Sequence, residues 1–201
     1  MILSNVELHH ALDDGRNIIA PEPFPRTPSV NEPDCPYDTH SVDLTLSEQL
    51  SVPKSHPHAI DLREDAPQGW SKYIADHSDP YTLSEMQPHK LSPYQLVLGR
   101  THERIALPIF AEGISLAARI EGKSSRARWG LLVHCTAPTN HPGFEGTITL
   151  EIINLGPIPI LLTPRMRIAQ LIVEQVLGTP IPNPSQFQGQ DTPSGLNRPA
   201  S

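Results

Sequence analysis

Twenty-three prolines are spread through 201 residues, from Pro21 to Pro199, and no other feature restricts this chain so strongly. Proline lacks an amide donor and its ring clashes inside a helix, so it is confined to element ends, edge strands and turns. A chain punctuated in this way forms short elements joined by frequent turns, which favours an all-β barrel or sandwich over a helical bundle. An apolar fraction of 37% and a mean hydropathy of −0.30 allow one core with no apolar surplus. No run approaches the roughly 18 apolar residues of a membrane span. The opening Met1-Ile2-Leu3-Ser4-Asn5-Val6-Glu7 lacks the basic-then-apolar order of a signal peptide, so a cytoplasmic location without membrane contact is expected. Cys35 and Cys135 form no CxxC pair, which argues against a disulfide framework and a thiolate zinc site. A net charge of −7 disfavours nonspecific binding to a nucleic-acid polymer, although basic residues gathered at one place can still hold a small polyanion.

Residues 4–14 read as a short helix with Ser4 as N-cap and Glu7 completing a capping box. Residues 21–37 read as a Pro-rich connector. Val42, Leu44 and Leu46 alternate as one face of a half-buried strand. Residues 53–90, polar and rich in His and Pro, read as a long excursion with a small strand or two. Further strands are expected at 95–98, 104–107, 114–120, 131–134, 147–153, 158–162 and 168–176. Pro142-Gly143, Gly156-Pro157 and Thr163-Pro164 mark turns among them. A second helical stretch is expected only at 124–128. Residues 1–177 then form one domain, and 178–201 a Pro-, Gln- and Ser-rich tail.

Two blocks carry chemistry. In Glu121-Gly122-Lys123-Ser124-Ser125-Arg126-Ala127-Arg128-Trp129-Gly130, three cations lie within six residues. If 124–128 form a helical turn, Ser124 and Arg128 share a face at i and i+4. The turn amides, Lys123 and the serine hydroxyls then offer a place for phosphate. Taken alone, the block reads first as an N-capped surface turn with solvated charges. In Thr147-Ile148-Thr149-Leu150-Glu151-Ile152, the isoleucines and Leu150 point one way, so Glu151 shares its face with Thr147 and Thr149. A mid-strand carboxylate needs solvent, a partner or a cavity, because burying it unpaired is expensive. Arg128 is a candidate partner. An H-x-E together with a P-C-x-x-C element would signal a zinc site that activates water, and neither occurs here. His9-His10 and His56-Pro57-His58 suggest a metal at first glance, but Glu64 lies six positions beyond His58, and a solvated loop is the better reading.

Lys123-Ser124-Ser125-x-Ala127-Arg128-x-Gly130-Leu131, Val133-His134-x-Thr136-Ala137, Pro142-Gly143-Phe144-x-Gly146 and Leu150-Glu151 follow one another in order. With Ser41-Val42-Asp43-Leu44, Leu107-Pro108 and Met166-Arg167-Ile168-Ala169-Gln170-Leu171-Ile172, they resemble the dCTP deaminase family of the trimeric dUTPase-like superfamily over residues 40–177. The resemblance implies a mainly β fold, a distorted barrel or jelly roll with short helices, assembled as a homotrimer. It implies conversion of dCTP to dUTP and ammonia without zinc, supplying dUTP for thymidylate synthesis. Glu151 falls on the catalytic Glu that activates water and returns a proton to the leaving ammonia. Ser124 and Arg128 fall on its supporting serine and arginine. Cys135, Thr136 and Ala137 would read the base edge. Lys123, Ser125, Arg126 and Ala127 would meet the phosphates, with Thr149 and Leu150 beside Glu151 at the nucleotide. Magnesium would arrive on the triphosphate, and dTTP is raised as an inhibitor.

The sequence departs from the family at two places. His141 stands where Asp usually precedes Pro-Gly, which bears more on triphosphate hydrolysis than on deamination, and His141 would line the sugar pocket. In the tail, Gln186 and Phe187 replace a common Lys-Tyr pair, with Gln190 at the family's terminal Gln; this stretch is expected to act as a lid. The alternatives are a bifunctional dCTP deaminase and dUTPase giving dUMP and pyrophosphate, a plain dUTPase, and a noncatalytic nucleotide-binding β protein.

Overall fold

The computed structural model describes residues 1–29, 31, 34–57, 59–60, 74, 76–183 and 187–194. Its elements are α1 (Asn5–Asp13), β1 (Ile18–Ala20), β2 (Val42–Thr45), β3 (Gln49–Pro53), β4 (Ser78–Thr82), β5 (His89–Leu91), β6 (Leu96–Ala106), β7 (Leu116–Gly122), α2 (Ser124–Ala127), β8 (Leu131–Leu132), β9 (Thr139–Asn140), β10 (Glu145–Asn154), β11 (Ile160–Leu162) and β12 (Arg167–Gln175). The mainly β class with short helices holds. One sheet runs β4-β3-β6-β10-β8 with β1 added on β6; a second runs β2-β12-β7-β9; β11 and β5 form a ribbon. Leu150 and Ile152 from the first sheet and Leu44 and Leu171 from the second share one core. Among the described residues, no helix is long and apolar enough to cross a membrane.

Most expected elements appear, and the differences have physical causes. The Ser4 hydroxyl caps α1 by accepting the Glu7 amide at 3.3 Å. The two strands expected at 95–98 and 104–107 are a single strand, β6, bent over a bulge. Thr147 faces Arg104 while Thr149 faces Arg100, so β6 carries extra residues there. Thr101 fills the bulge: its Oγ1 accepts the Ile148 amide at 2.9 Å and donates to the Glu103 carbonyl at 2.7 Å. Gly99 interrupts the apolar pattern because no side chain fits: a Cβ there would lie 2.8 Å from Ile152 Cδ1. The strand at Val42 is buried on both faces rather than half-buried, and it includes Asp43. Residues 53–90 contain β4 and the start of β5. His58, Glu64, Ser185 and Gln186 lie outside the described residues.

Candidate active site

β10 is the strand on which the site is built. Ile148, Leu150 and Ile152 point into the core, so alternation turns Thr149 and Glu151 to the opposite face. Glu151 is half-buried, and its Oε2 accepts the backbone amide of Cys135 at 3.2 Å. This hydrogen bond follows from register. β8 pairs with the end of β10, Leu132 facing Ile153, so the chain leaving β8 runs alongside Glu151. The Cys135 thiol is raised above its ordinary pKa by burial and then by the Glu151 charge, so at neutral pH it stays a thiol and does not compete as a nucleophile.

A cavity of about 320 Å³ opens at Glu151. Leu98, Phe144 and Ile148 give it an apolar wall, while Thr139, Asn140, His141 and Thr149 supply polar groups. Thr149 Oγ1 is buried without a hydrogen-bond partner among the described residues. A buried hydroxyl left unpaired costs about 1–3 kcal/mol, so the cavity suits a polar occupant that completes it. His141 is exposed at the rim, with Nδ1 2.8 Å from the Pro142 carbonyl. A carbonyl only accepts, so that contact places the proton on Nδ1 and leaves Nε2 as the basic nitrogen.

Residues 187–194 fold back over this region. Gln190 is its anchor: its backbone carbonyl accepts the Thr147 amide at 2.9 Å and the Thr147 hydroxyl at 3.2 Å, and its side-chain amide donates to the Thr147 carbonyl at 2.7 Å. The Gly189 amide donates to the Glu145 carbonyl at 2.7 Å, and Gln188 donates to the Gly143 carbonyl at 2.9 Å. Gly146 allows this approach, since a Cβ there would lie 3.0 Å from the Gln190 carbonyl oxygen. Phe187, Gln190 and Ser194 consequently line the cavity.

The phosphate-suited turn forms as α2, with Arg128 as its C-cap. Ser124, Ser125, Arg126, Ala127 and Arg128 are all exposed. Ser124 and Arg128 share a face, Arg128 Nη1 donating to the Ser124 carbonyl at 3.3 Å. Gly130 fastens the end of the turn to the end of β10: its carbonyl accepts the Leu155 amide at 2.7 Å, with φ at +88°. Lys123 points away from the turn and forms an ion pair with Asp43.

Of the residues singled out in the sequence, Ala137, His141, Thr149, Glu151, Phe187 and Gln190 therefore meet at one cavity. Cys135 joins them through its amide, while Thr136 is exposed beside it. Leu150 points into the core. None of residues 123–128 lines the cavity as described. Ile74, Leu98, Asn140 and Ser194 do line it and were not foreseen. Asn140, 9% exposed between Thr139 and His141, had a faint signal as a polar residue in a strand pair. Ile74 had none. Among the described residues, no three His, Cys, Asp or Glu side chains converge as a metal would require.

A dCTP deaminase-like family model matches residues 2–176. The chain is 35% identical over 205 residues to a dCTP deaminase of Haloarcula marismortui, covering 96% of this chain and 92% of the relative. It is 36% identical over 203 residues to a dUMP-forming dCTP deaminase of Thermobifida fusca, covering 96% and 91%. Among solved structures, the 2'-deoxycytidine 5'-triphosphate deaminase from Agrobacterium tumefaciens superposes with a TM-score of 0.56 at 17% identity. That match covers 86% of this chain and 47% of the other, and it is a likeness of fold.

Proposed function

The chain belongs to the dCTP deaminase-like family, and from that premise we propose that it hydrolyses dCTP to dUTP and ammonia with Glu151 as general acid and base. The observation that carries the assignment of Glu151 is its carboxylate at the cavity wall, oriented by the Cys135 amide. With Oε2 held, Oε1 is left to take a proton from water. The water oxygen bonds to C4 of cytosine, and the C4–N3 double bond becomes single as Glu151 delivers that proton to N3. Glu151 then takes the remaining proton from the new C4 hydroxyl and passes it to the exocyclic nitrogen, the C4–N bond breaks, and ammonia leaves as the C4 carbonyl forms. The orphan hydroxyl of Thr149 and the presence of Ala137 in the cavity wall support nucleotide binding beside Glu151.

The phosphate chain is assigned to Ser124, Ser125, Arg126 and Arg128, of which Ser124 and Arg128 also support Glu151 and its water, with magnesium carried on the triphosphate as part of the substrate. Because these residues do not line the Glu151 cavity of their own chain, a complete site calls for a second copy presenting its turn. Trp129, Leu155, Ile158 and Leu161, between 54% and 68% exposed, give such a contact apolar area beside the turn. A homotrimer with shared sites satisfies both observations.

A second reading, continuation to dUMP and pyrophosphate, is favoured by one observation: the basic Nε2 of His141 at the cavity rim. The primary reading keeps dUTP as the product, because an imidazole in place of the usual carboxylate has a different reach. The deciding experiment incubates the protein with dCTP and Mg²⁺ and separates dCTP, dUTP and dUMP by ion exchange. Ammonia and dUTP in equal amounts support the deaminase. Unchanged dCTP rejects it.

A further inference from the structure

β2 is buried from Val42 to Leu44 yet carries Asp43, whose side chain is only 7% exposed. Three side chains converge on it. Lys123 Nζ pairs with Oδ1, Gln170 Nε2 lies 3.4 Å from the same oxygen, and Arg167 Nη1 lies 3.8 Å from Oδ2. Gln170 also donates to Ser41 Oγ at 3.2 Å. In the sheet, Gln170 of β12 faces Asp43 on one side and Glu121 of β7 on the other. Lys123 therefore reaches across a whole intervening strand to find its partner, a span that needs a long side chain. At its other end, the Lys123 carbonyl accepts the amides of Arg126 and Ala127, both at 2.9 Å, and so closes α2. One residue ties the sheet to the turn.

We infer that Asp43 is a positioning residue for the triphosphate: through Lys123 it holds the 124–128 turn, with Ser124 and Ser125, in place to meet the phosphates. The inference rests on the dCTP reading above. A buried carboxylate facing two cations is also what keeps those cations together. Without its charge, Lys123 and Arg167 become like charges sharing a half-buried space, and each favours water over the other's company. Lys123 then leaves the sheet and the turn loses its tether. Glu151 lies on the other sheet and is not among the groups touching Asp43. Loss of the tether weakens phosphate binding and leaves Glu151 itself in place.

The test is Asp43→Asn in the full chain with Mg²⁺. KM for dCTP should rise about tenfold or more, the loss expected for one charge-assisted contact. Two competitors separate the cause. Tripolyphosphate should inhibit the variant correspondingly less, whereas deoxycytidine, which has no phosphate, should inhibit both proteins equally. In a Lys123→Gln background, Asp43→Asn should add no further loss. If Asp43→Asn does not fold, Asp43→Glu displaces the Lys123 ammonium by one methylene and carries the same comparison. Unchanged KM and tripolyphosphate inhibition, or an equal loss for deoxycytidine, overturns the role of Asp43. Absence of ammonia from the wild-type chain instead overturns the deaminase reading, and direct binding of tripolyphosphate by calorimetry, weaker in Asp43→Asn or unchanged, still decides Asp43.

Discussion

At the scale of single residues, Glu151 and Gly130 illustrate two kinds of dependence. Glu151→Gln preserves the shape and an acceptor for the Cys135 amide but cannot take a proton from water. Turnover should fall by about 10²–10⁴-fold while dCTP affinity, measured by equilibrium binding, stays near wild type. Full turnover in the folded variant would remove Glu151 from the mechanism. Gly130 matters through backbone geometry. Its φ is +88°, and a Cβ would lie 2.3 Å from the Gly156 amide nitrogen, so backbone rather than a flexible side chain would have to give. Gly130→Ala should destabilise by about 3 kcal/mol in urea unfolding. His141 belongs at this scale too. With dUTP as substrate, pyrophosphate release is expected to be far slower than ammonia release from dCTP. Comparable rates would establish the bifunctional reading, and His141→Ala should then abolish hydrolysis and spare deamination.

At the scale of elements, the tail and the β5–β11 ribbon matter most. Residues 187–194 attach through the Thr147, Glu145 and Gly143 backbone and contribute three side chains to the cavity wall. Chains ending at 183 should lose most of their activity while their melting temperature moves by only a few degrees, since the tail adds few core contacts. A truncated chain with wild-type kcat/KM would show that the segment does not serve the site. In the ribbon, burial lowers the pKa of His89 below its ordinary 6.5. Its Nε2 has no partner among the described residues, and its ring stands edge-on to Tyr81 at 5.0 Å. His102 is lowered in the same direction, with burial again the largest cause. For a lowered pKa, the unfolded chain binds the proton more readily. The stabilisation is therefore complete above about pH 6.5 and is lost as pH falls through the folded values. Thermal melts should show a falling Tm between pH 7 and 5, with a shallower slope in His89→Gln.

At the scale of the whole molecule, the separation of the 124–128 turn from the Glu151 cavity is the dominant fact. At about 3.3 Å per residue, the turn's attachment near Asn154 lies on the order of 10 Å along β10 from Glu151. If neighbouring copies complete each other's sites, Ser124→Ala chains mixed with Glu151→Gln chains should regain part of the wild-type activity. A monomer by light scattering under active conditions would reject shared sites. Chelation should leave an enzyme that Mg²⁺ alone restores. Restoration by zinc and not by magnesium would overturn the reading of the metal as part of the substrate.

The sequence by itself determined the class of fold, the strands with clear alternation, the α2 turn and the orientation of Glu151. Those features are local: proline spacing, period-two burial and i, i+4 neighbours are written in consecutive residues. Ala137, His141, Thr149 and Gln190 were marked only through the resemblance to the dCTP deaminase family, position by position. Tertiary structure alone decided the rest. β6 runs unbroken through Gly99 because Ile152 on a neighbouring strand fills the space a side chain would need. Ile74, from the polar excursion, reaches the cavity only through the path of the folded chain. Asp43 looked like a polar residue in a half-buried strand, and it became a buried partner of Lys123 because β12 lies between β2 and β7. Pairings between residues 80 positions apart are set by sheet order, and sheet order leaves no periodic trace in the sequence.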